Sequence, residues 1–278
     1  MQLSEQYVPD DDQLSGARIT EVLGRSDVGL SGSIGTIDNG SIRLQGGSTD
    51  ADGNVSGHSV AAGTNVLAYL QTLARTEWGK FFVDAAGDLQ FRSRFNFPSA
   101  VTSASFDDFG TDLPFSGVRV AFGSERRAWR ASVQRVGGVA QIGTSSDTPP
   151  TALGQRTIAL TGLLFRGDAY CRSLAQHLAD RYAQVEAFIE SLTVPLAKLG
   201  TSDRATVCGL DINDTVDVSW QPTGAGNRVS QTLVVEGVTY RHDEIGNGFV
   251  DLQLSAYPDT NYLVYDTDEY DDGIPYGF

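Results

Sequence analysis

The sequence predicts an α+β fold: a β-barrel or sandwich domain crossed by one long helix, plus a smaller helix-hairpin domain. Three observations predict it. Val66, Leu67, Leu70, Leu73 and Ala74 repeat at helical spacing and run straight into two short strand-like segments. Around Val118–Phe122, Trp129–Val133, Val216–Trp220 and Val250–Ala256 the period changes to two. Between them Cys171, Leu174, Leu178, Tyr182, Val185, Ile189 and Leu192 step by three and four, the stripe of an amphipathic helix. The chain of 278 residues, 40% hydrophobic with 31 glycines, can bury two cores of ordinary size. The division expected is a helix and hairpin domain at 1–97, a β-barrel domain at 98–256 with its long helix at 168–192, and an acidic Tyr/Asp-rich tail at 257–278.

Taken in order, Ser15 caps a short helix carrying Ile19, Val22 and Leu23 that stops at Gly24. Residues 28–63 are rich in Gly, Ser, Asp and Asn and read as short strands or long loops. Thr64 caps the next helix, which stops near Gly79. Lys80–Val83 and Leu89–Arg92 then form a hairpin about Asp84–Asp88, with Gly87 free to take positive φ. Pro98 and Pro114 mark the connector to the second domain. Gly137-Gly138 turns one strand towards Val139–Ile142, and Thr144–Gln155 is a surface loop by composition. Asp168 caps the long helix and Pro195 follows its end. Strands before and after it join one barrel or sandwich, with the helix packed across, and the last two form a hairpin about Gly246-Asn247-Gly248.

No residue pattern announces a reaction. His58, His177 and His242 are scattered, and there is no HExxH, no GxSxG, no GxxxxGK[ST] and no Cys/His cluster. The expectation is therefore no catalytic residue, no cofactor and no metal. Asp50-Ala-Asp52-Gly53-Asn54 has the alternating oxygens of a calcium loop but lacks the closing Glu, so it reads as a surface turn. Asp266, Asp268, Glu269, Asp271 and Asp272 read as a solvated acidic end. Cys171 and Cys208 read as buried free thiols, and Trp78, Trp129 and Trp220 as core or interface. A net charge of −15 disfavours phosphate, and the one dense basic run, Arg126-Arg127-Ala128-Trp129-Arg130, reads as solvated or paired. The first twelve residues lack a basic start and an apolar run, so no signal peptide is expected. No stretch reaches the roughly 20 apolar residues of a membrane span.

The order of three segments is familiar: NVLAYLQTLARTEWGKFFVDAAGDLQFRSR, then FDD…LPFSGVRVAF, then VVEGVTYRHDE…FVDLQLSAYP after a long helix. Over residues 13–260 it resembles the tail-tip and baseplate-hub proteins of bacteriophages, the minor tail proteins of long-tailed phages, which are similar to the hubs of contractile tails. The resemblance implies a structural virion protein, made in the host bacterial cytoplasm, that caps or extends the tail tube as part of a ring. It implies a homotrimer, other tail proteins as partners (tail tube, distal tail protein, fibre or tip proteins), DNA only in transit and no stable membrane binding. Family members carry a further β-domain upstream of the first helix; here either a separate chain supplies it or the hub is a reduced one. A cell-wall hydrolase and a receptor- or carbohydrate-binding module are the alternatives. In the tail, Tyr262, Tyr265, Asp268, Tyr270, Asp272, Tyr276 and Phe278 are the expected partner interface, because tyrosine gives contact area at low entropic cost.

Overall fold

The computed structural model describes residues 1–52, 54–93, 101–110, 112–122, 127–146, 156–183, 187–222, 228–243 and 247–256. In chain order the elements are β1 (Gln13–Leu14), α1 (Ser15–Gly24), β2 (Ile34–Ile37), β3 (Arg43–Leu44), β4 (Gly47–Thr49), β5 (Val55–Gly57), α2 (Val66–Glu77), β6 (Lys80–Val83) and β7 (Leu89–Arg92). There follow β8 (Ala104–Asp107), β9 (Gly117–Phe122), β10 (Arg130–Arg135), β11 (Gln141–Thr144), β12 (Thr157–Leu163) and α3 (Asp168–Ala183). The chain closes with β13 (Ala187–Pro195), α4 (Thr201–Cys208), β14 (Thr215–Trp220), β15 (Val229–His242) and β16 (Gly248–Ala256). The mixture is α+β.

These elements gather into two units, each discontinuous in sequence: Met1–Asn96 with Arg126–Gln184, and Phe97–Glu125 with Val185–Thr260. The chain first changes unit between Asn96 and Phe97. It then returns, so that β10, β11, β12 and α3 belong with the N-terminal elements and not with the strands that flank them in sequence.

In the first unit α2 runs from Val66 and is capped by Asn65, whose Oδ1 accepts a hydrogen bond from the Ala68 amide at 3.0 Å. Thr64 is not the cap; its hydroxyl donates instead to the Ala61 carbonyl. The helix ends one residue early, at Trp78, which takes the left-handed conformation (φ 59°, ψ 30°). Gly79 has a different duty: a Cβ there would stand 2.4 Å from the Arg92 carbonyl oxygen, so only glycine lets β6 leave beside β7. The β6–β7 hairpin closes through Asp84, whose carboxylate accepts from the Ala86 and Asp88 amides and from Gln90, with Gly87 at φ +92°. These bonds to the charged form hold the Asp84 pKa below its ordinary value.

The two N-terminal helices are fastened by one buried carboxylate. Glu77, the last residue of α2, is fully buried and accepts from the Ser15 hydroxyl (2.7 Å), the Ser41 amide and hydroxyl (3.1 Å each) and the Ile42 amide (3.1 Å). Ser15 is thus not the cap of α1 but a donor to α2. Ile19, Val22 and Leu23 of α1 join Val66, Leu70 and Leu73 of α2 in a core that continues into Ala131, Val133, Cys171, Leu174 and Leu178.

The long helix is shorter than its stripe suggested. α3 ends at Ala183, and Ile189 and Leu192 lie on β13, a strand of the other unit. Their three-residue spacing continues the helical step by coincidence, while β-branched residues at 189, 193 and 194 favour the extended chain. The helix expected across the barrel strands belongs instead to the first unit. It covers one face of the three-stranded sheet β11-β10-β12, where Gly143 lets β11 approach the backbone of Ala175.

The second unit is built on a six-stranded sheet of order β8-β14-β15-β16-β13-β9. Strands from before and after α3 do meet in one sheet, as the alternation implied, but the sheet is open and only half of a barrel. β15 and β16 pair antiparallel from Leu233↔Ala256 to His242↔Gly248. Ile189, Leu192, Val216, Val218, Val235, Val250 and Leu252 form its core, closed by Leu199, Val207 and Leu210 from around α4, a helix the sequence reading did not foresee.

Candidate assembly surfaces

The seven tail positions expected to meet a partner, Tyr262, Tyr265, Asp268, Tyr270, Asp272, Tyr276 and Phe278, lie outside the described residues, as do Asp266, Glu269 and Asp271. The Asp50 turn closes the β4–β5 hairpin with its own carboxylate, which accepts from the Asp52 and Asn54 amides and from the Asn54 side chain. Among the described residues no three His, Cys, Asp or Glu side chains group as metal ligands, and no helix is long and apolar enough to cross a membrane.

The cysteines differ. Cys171 is buried, and burial pushes its thiol up to about 11. Cys208 is exposed, a correction to the expected pair of buried thiols: as the last residue of α4 it faces solvent while Val207 beside it enters the core. The basic run is put to structural use where it is described. Arg127 donates to the Ala183 carbonyl at 2.7 Å and stacks its guanidinium 5.0 Å from the centre of the buried Trp129 ring.

A polar knot sits inside the first unit. Tyr7 and Tyr69 meet edge to face with centroids 6.5 Å apart, and His58 stacks on Tyr69 at 6.4 Å. Buried Arg18 beside them donates to Gln13 and to the Gln45 and Asp10 carbonyls. Among the described residues the two phenol oxygens and His58 Nε2 are buried without a hydrogen-bond partner. Burial raises both tyrosines above their ordinary pKa, and burial followed by Arg18 lowers His58.

Two surfaces are built like interfaces. In the second unit, the outer edge of β8 is met by Leu113, whose amide donates to the Ser105 carbonyl and whose carbonyl accepts from the Asp107 amide. β9 at the opposite edge pairs only with β13 among the described strands, which leaves a row of backbone groups of the kind that recruits another strand. In the first unit, α3 covers one face of β11-β10-β12 and the other face is open. Register places Arg130 beside Thr144 and Thr157, and Ser132 beside Ile142 and Ala159, all pointing away from buried Ala131 and Val133. Ile142 is 47% exposed, and Val136 and Val139 at the adjoining turn are exposed too. The sequence reading passed over this face because its residues are small and polar; the alternation Thr157, Ala159, Thr161 was the available signal.

The open sheet and its companion unit have solved counterparts. The chain is similar to a tail protein from Neisseria meningitidis MC58, with a TM-score of 0.56 at 10% identity over 90% of this chain and 69% of that one. The fold is that of phage tail proteins. A chain in the virion of a native gene transfer agent particle matches with a TM-score of 0.50 at 16% identity, over 94% of this chain and 51% of that one. The 43 kDa tail protein of prophage MuSo2 from Shewanella oneidensis gives 0.49 at 16% identity, over 91% and 65%. This chain thus spans between 51% and 69% of the three chains it matches. No family model matches it, and no curated protein sequence does.

Proposed function

We propose that the chain is a non-enzymatic structural component of a phage tail tip or baseplate hub. In this role it joins the tail tube to the distal attachment proteins and lets DNA pass. The observation that carries the reading is the fold shared with the Neisseria tail protein across 90% of this chain. The open β9 edge supports it, because a half-barrel with one bare strand is completed by a neighbour in a ring. A surplus of acids, with a net charge of −15, suits a wall that DNA must pass without sticking. Partners are other tail proteins and further copies of the chain, in a trimer, and the tail residues from Tyr262 to Phe278 serve as one contact.

Native mass measurement of the protein, alone and co-expressed with its genomic neighbours, tests the reading. A ring of three or six copies is expected, and a monomer in every combination refutes the hub. Removing residues 260–278 leaves the fold intact and impairs particle assembly; normal virions from that deletion would show that the tail is dispensable.

A further inference from the structure

We propose that the open face of the β11-β10-β12 sheet is the docking site for the acidic C-terminal segment, residues 257–278, of a second copy of this chain. The inference rests on the reading above, in which that segment meets a neighbouring subunit, and adds the surface that receives it.

Charge is the first argument. Residues 126–184 hold eight arginines against three aspartates, an excess of five positive charges inside a chain of net −15. Residues 257–278 hold six acids and no Lys, Arg or His. Much of the arginine excess is already engaged: Arg127 on the Ala183 carbonyl, Arg135 on Asp168, Arg166 on Asp12. Arg130 makes no ion pair or side-chain hydrogen bond among the described residues, and it stands on the open face between Thr144 and Thr157. Among the described residues no carboxylate shares that face: its rows read Thr144, Arg130, Thr157 and Ile142, Ser132, Ala159.

Shape is the second. Apart from Arg130 the described side chains there are small or medium-sized, and Ile142 with Ala159 gives the face an apolar strip flanked by hydroxyls. A tyrosine ring suits such a strip, since its face covers apolar atoms while its hydroxyl reaches a threonine. The C-terminal segment offers Tyr257, Tyr262, Tyr265, Tyr270 and Tyr276, interspersed with carboxylates for the guanidinium. At about 3.3 Å per residue its 22 residues span at most about 70 Å. Nucleic acid is the weaker occupant, because one arginine in the described rows of this face, in an acidic chain, does not hold phosphate against salt.

The test uses a fluorescein-labelled peptide of residues 257–278 titrated with the full-length protein and read by anisotropy. Saturable binding is expected, weakened at least about tenfold by Arg130→Glu or by Ile142→Asp, each with unchanged far-UV circular dichroism. Arg172→Glu, exposed on α3 at the covered side of the sheet, changes affinity by less than about twofold. Excess free peptide should also dissociate the self-associated wild-type protein. The proposal is overturned if Arg130→Glu binds like wild type, if Arg172→Glu weakens binding as much, or if a scrambled peptide or a DNA duplex competes equally. It is also overturned if the wild-type chain does not self-associate. If tail removal blocks assembly while Arg130→Glu binds normally, this surface is wrong and the tail's role stands.

Discussion

Replacing Glu77 by alanine tests the account of how the first unit holds together. The carboxylate is fully buried, and two of its donors, the Ser15 hydroxyl and the Ile42 amide, make buried bonds. Without the acceptor each is stranded at a cost of about 1–3 kcal/mol, and the one lost methylene adds about 1 kcal/mol, so Glu77→Ala should destabilise the unit by about 5 kcal/mol. Glutamine is the sharper variant. Oε1 faces the Ser41 amide and hydroxyl and Oε2 faces the Ser15 hydroxyl and the Ile42 amide, so the new NH2 confronts a backbone N–H either way round. The serine hydroxyl can rotate to accept, whereas the amide cannot, so Glu77→Gln should cost about 1–3 kcal/mol. Urea unfolding followed by tryptophan fluorescence in a Trp220→Phe background reads Trp78 and Trp129, both in the first unit. An unfolding free energy for Glu77→Ala within about 1 kcal/mol of the parent would refute this role of the buried carboxylate.

Three further outcomes are expected. Cys208 reacts rapidly with a thiol reagent in the native protein and Cys171 only after unfolding, because one is exposed and the other is buried with a thiol raised to about 11; two fast thiols would contradict the packing of α3. His58 is held neutral by burial and by Arg18, so below about pH 6.5 the unfolded chain takes up a proton that the folded chain resists. Stability should therefore fall as pH drops through that range, and His58→Phe should flatten the slope measured by thermal unfolding. Gly16→Ala should destabilise by at least about 2 kcal/mol, since its Cβ would lie 1.6 Å from the Asp38 carbonyl oxygen; an unchanged unfolding midpoint would count against that close approach.

How much was legible in the sequence follows from the range of each signal. The α2 helix and the β6–β7 hairpin were readable because their determinants are local: apolar residues at 66, 70 and 73, and a turn built by Asp84 and Gly87. Cap identity was not, because Thr64 and Asn65 are both competent and only the path of the preceding chain decides between them. The end of α3 was misread because Ile189 and Leu192 keep helical spacing on a strand, where β-branched propensity and pairing with β9 and β16 decide instead. Which sheet a strand joins depends on parallel pairings such as β10 with β12 and β8 with β14, and no local pattern announces those.

The open face escaped notice for a related physical reason. Apolar alternation marks the side of a strand that goes inward, so Ala131 and Val133 drew attention and Arg130, Ser132 and Gln134 read as ordinary solvent-facing positions. A surface that meets a partner only in an assembly must stay soluble before it does, which selects threonine, serine and a single arginine over a greasy patch. Such a surface is visible only after register has lined its residues up and the charge of the whole chain has been set against it. Eight arginines in one segment of a chain at −15 are a bias that the fold of the first unit engages in part, with Arg135 on Asp168, Arg166 on Asp12 and Arg127 on the Ala183 carbonyl. Arg130, on the open face, is where an acidic partner gains most.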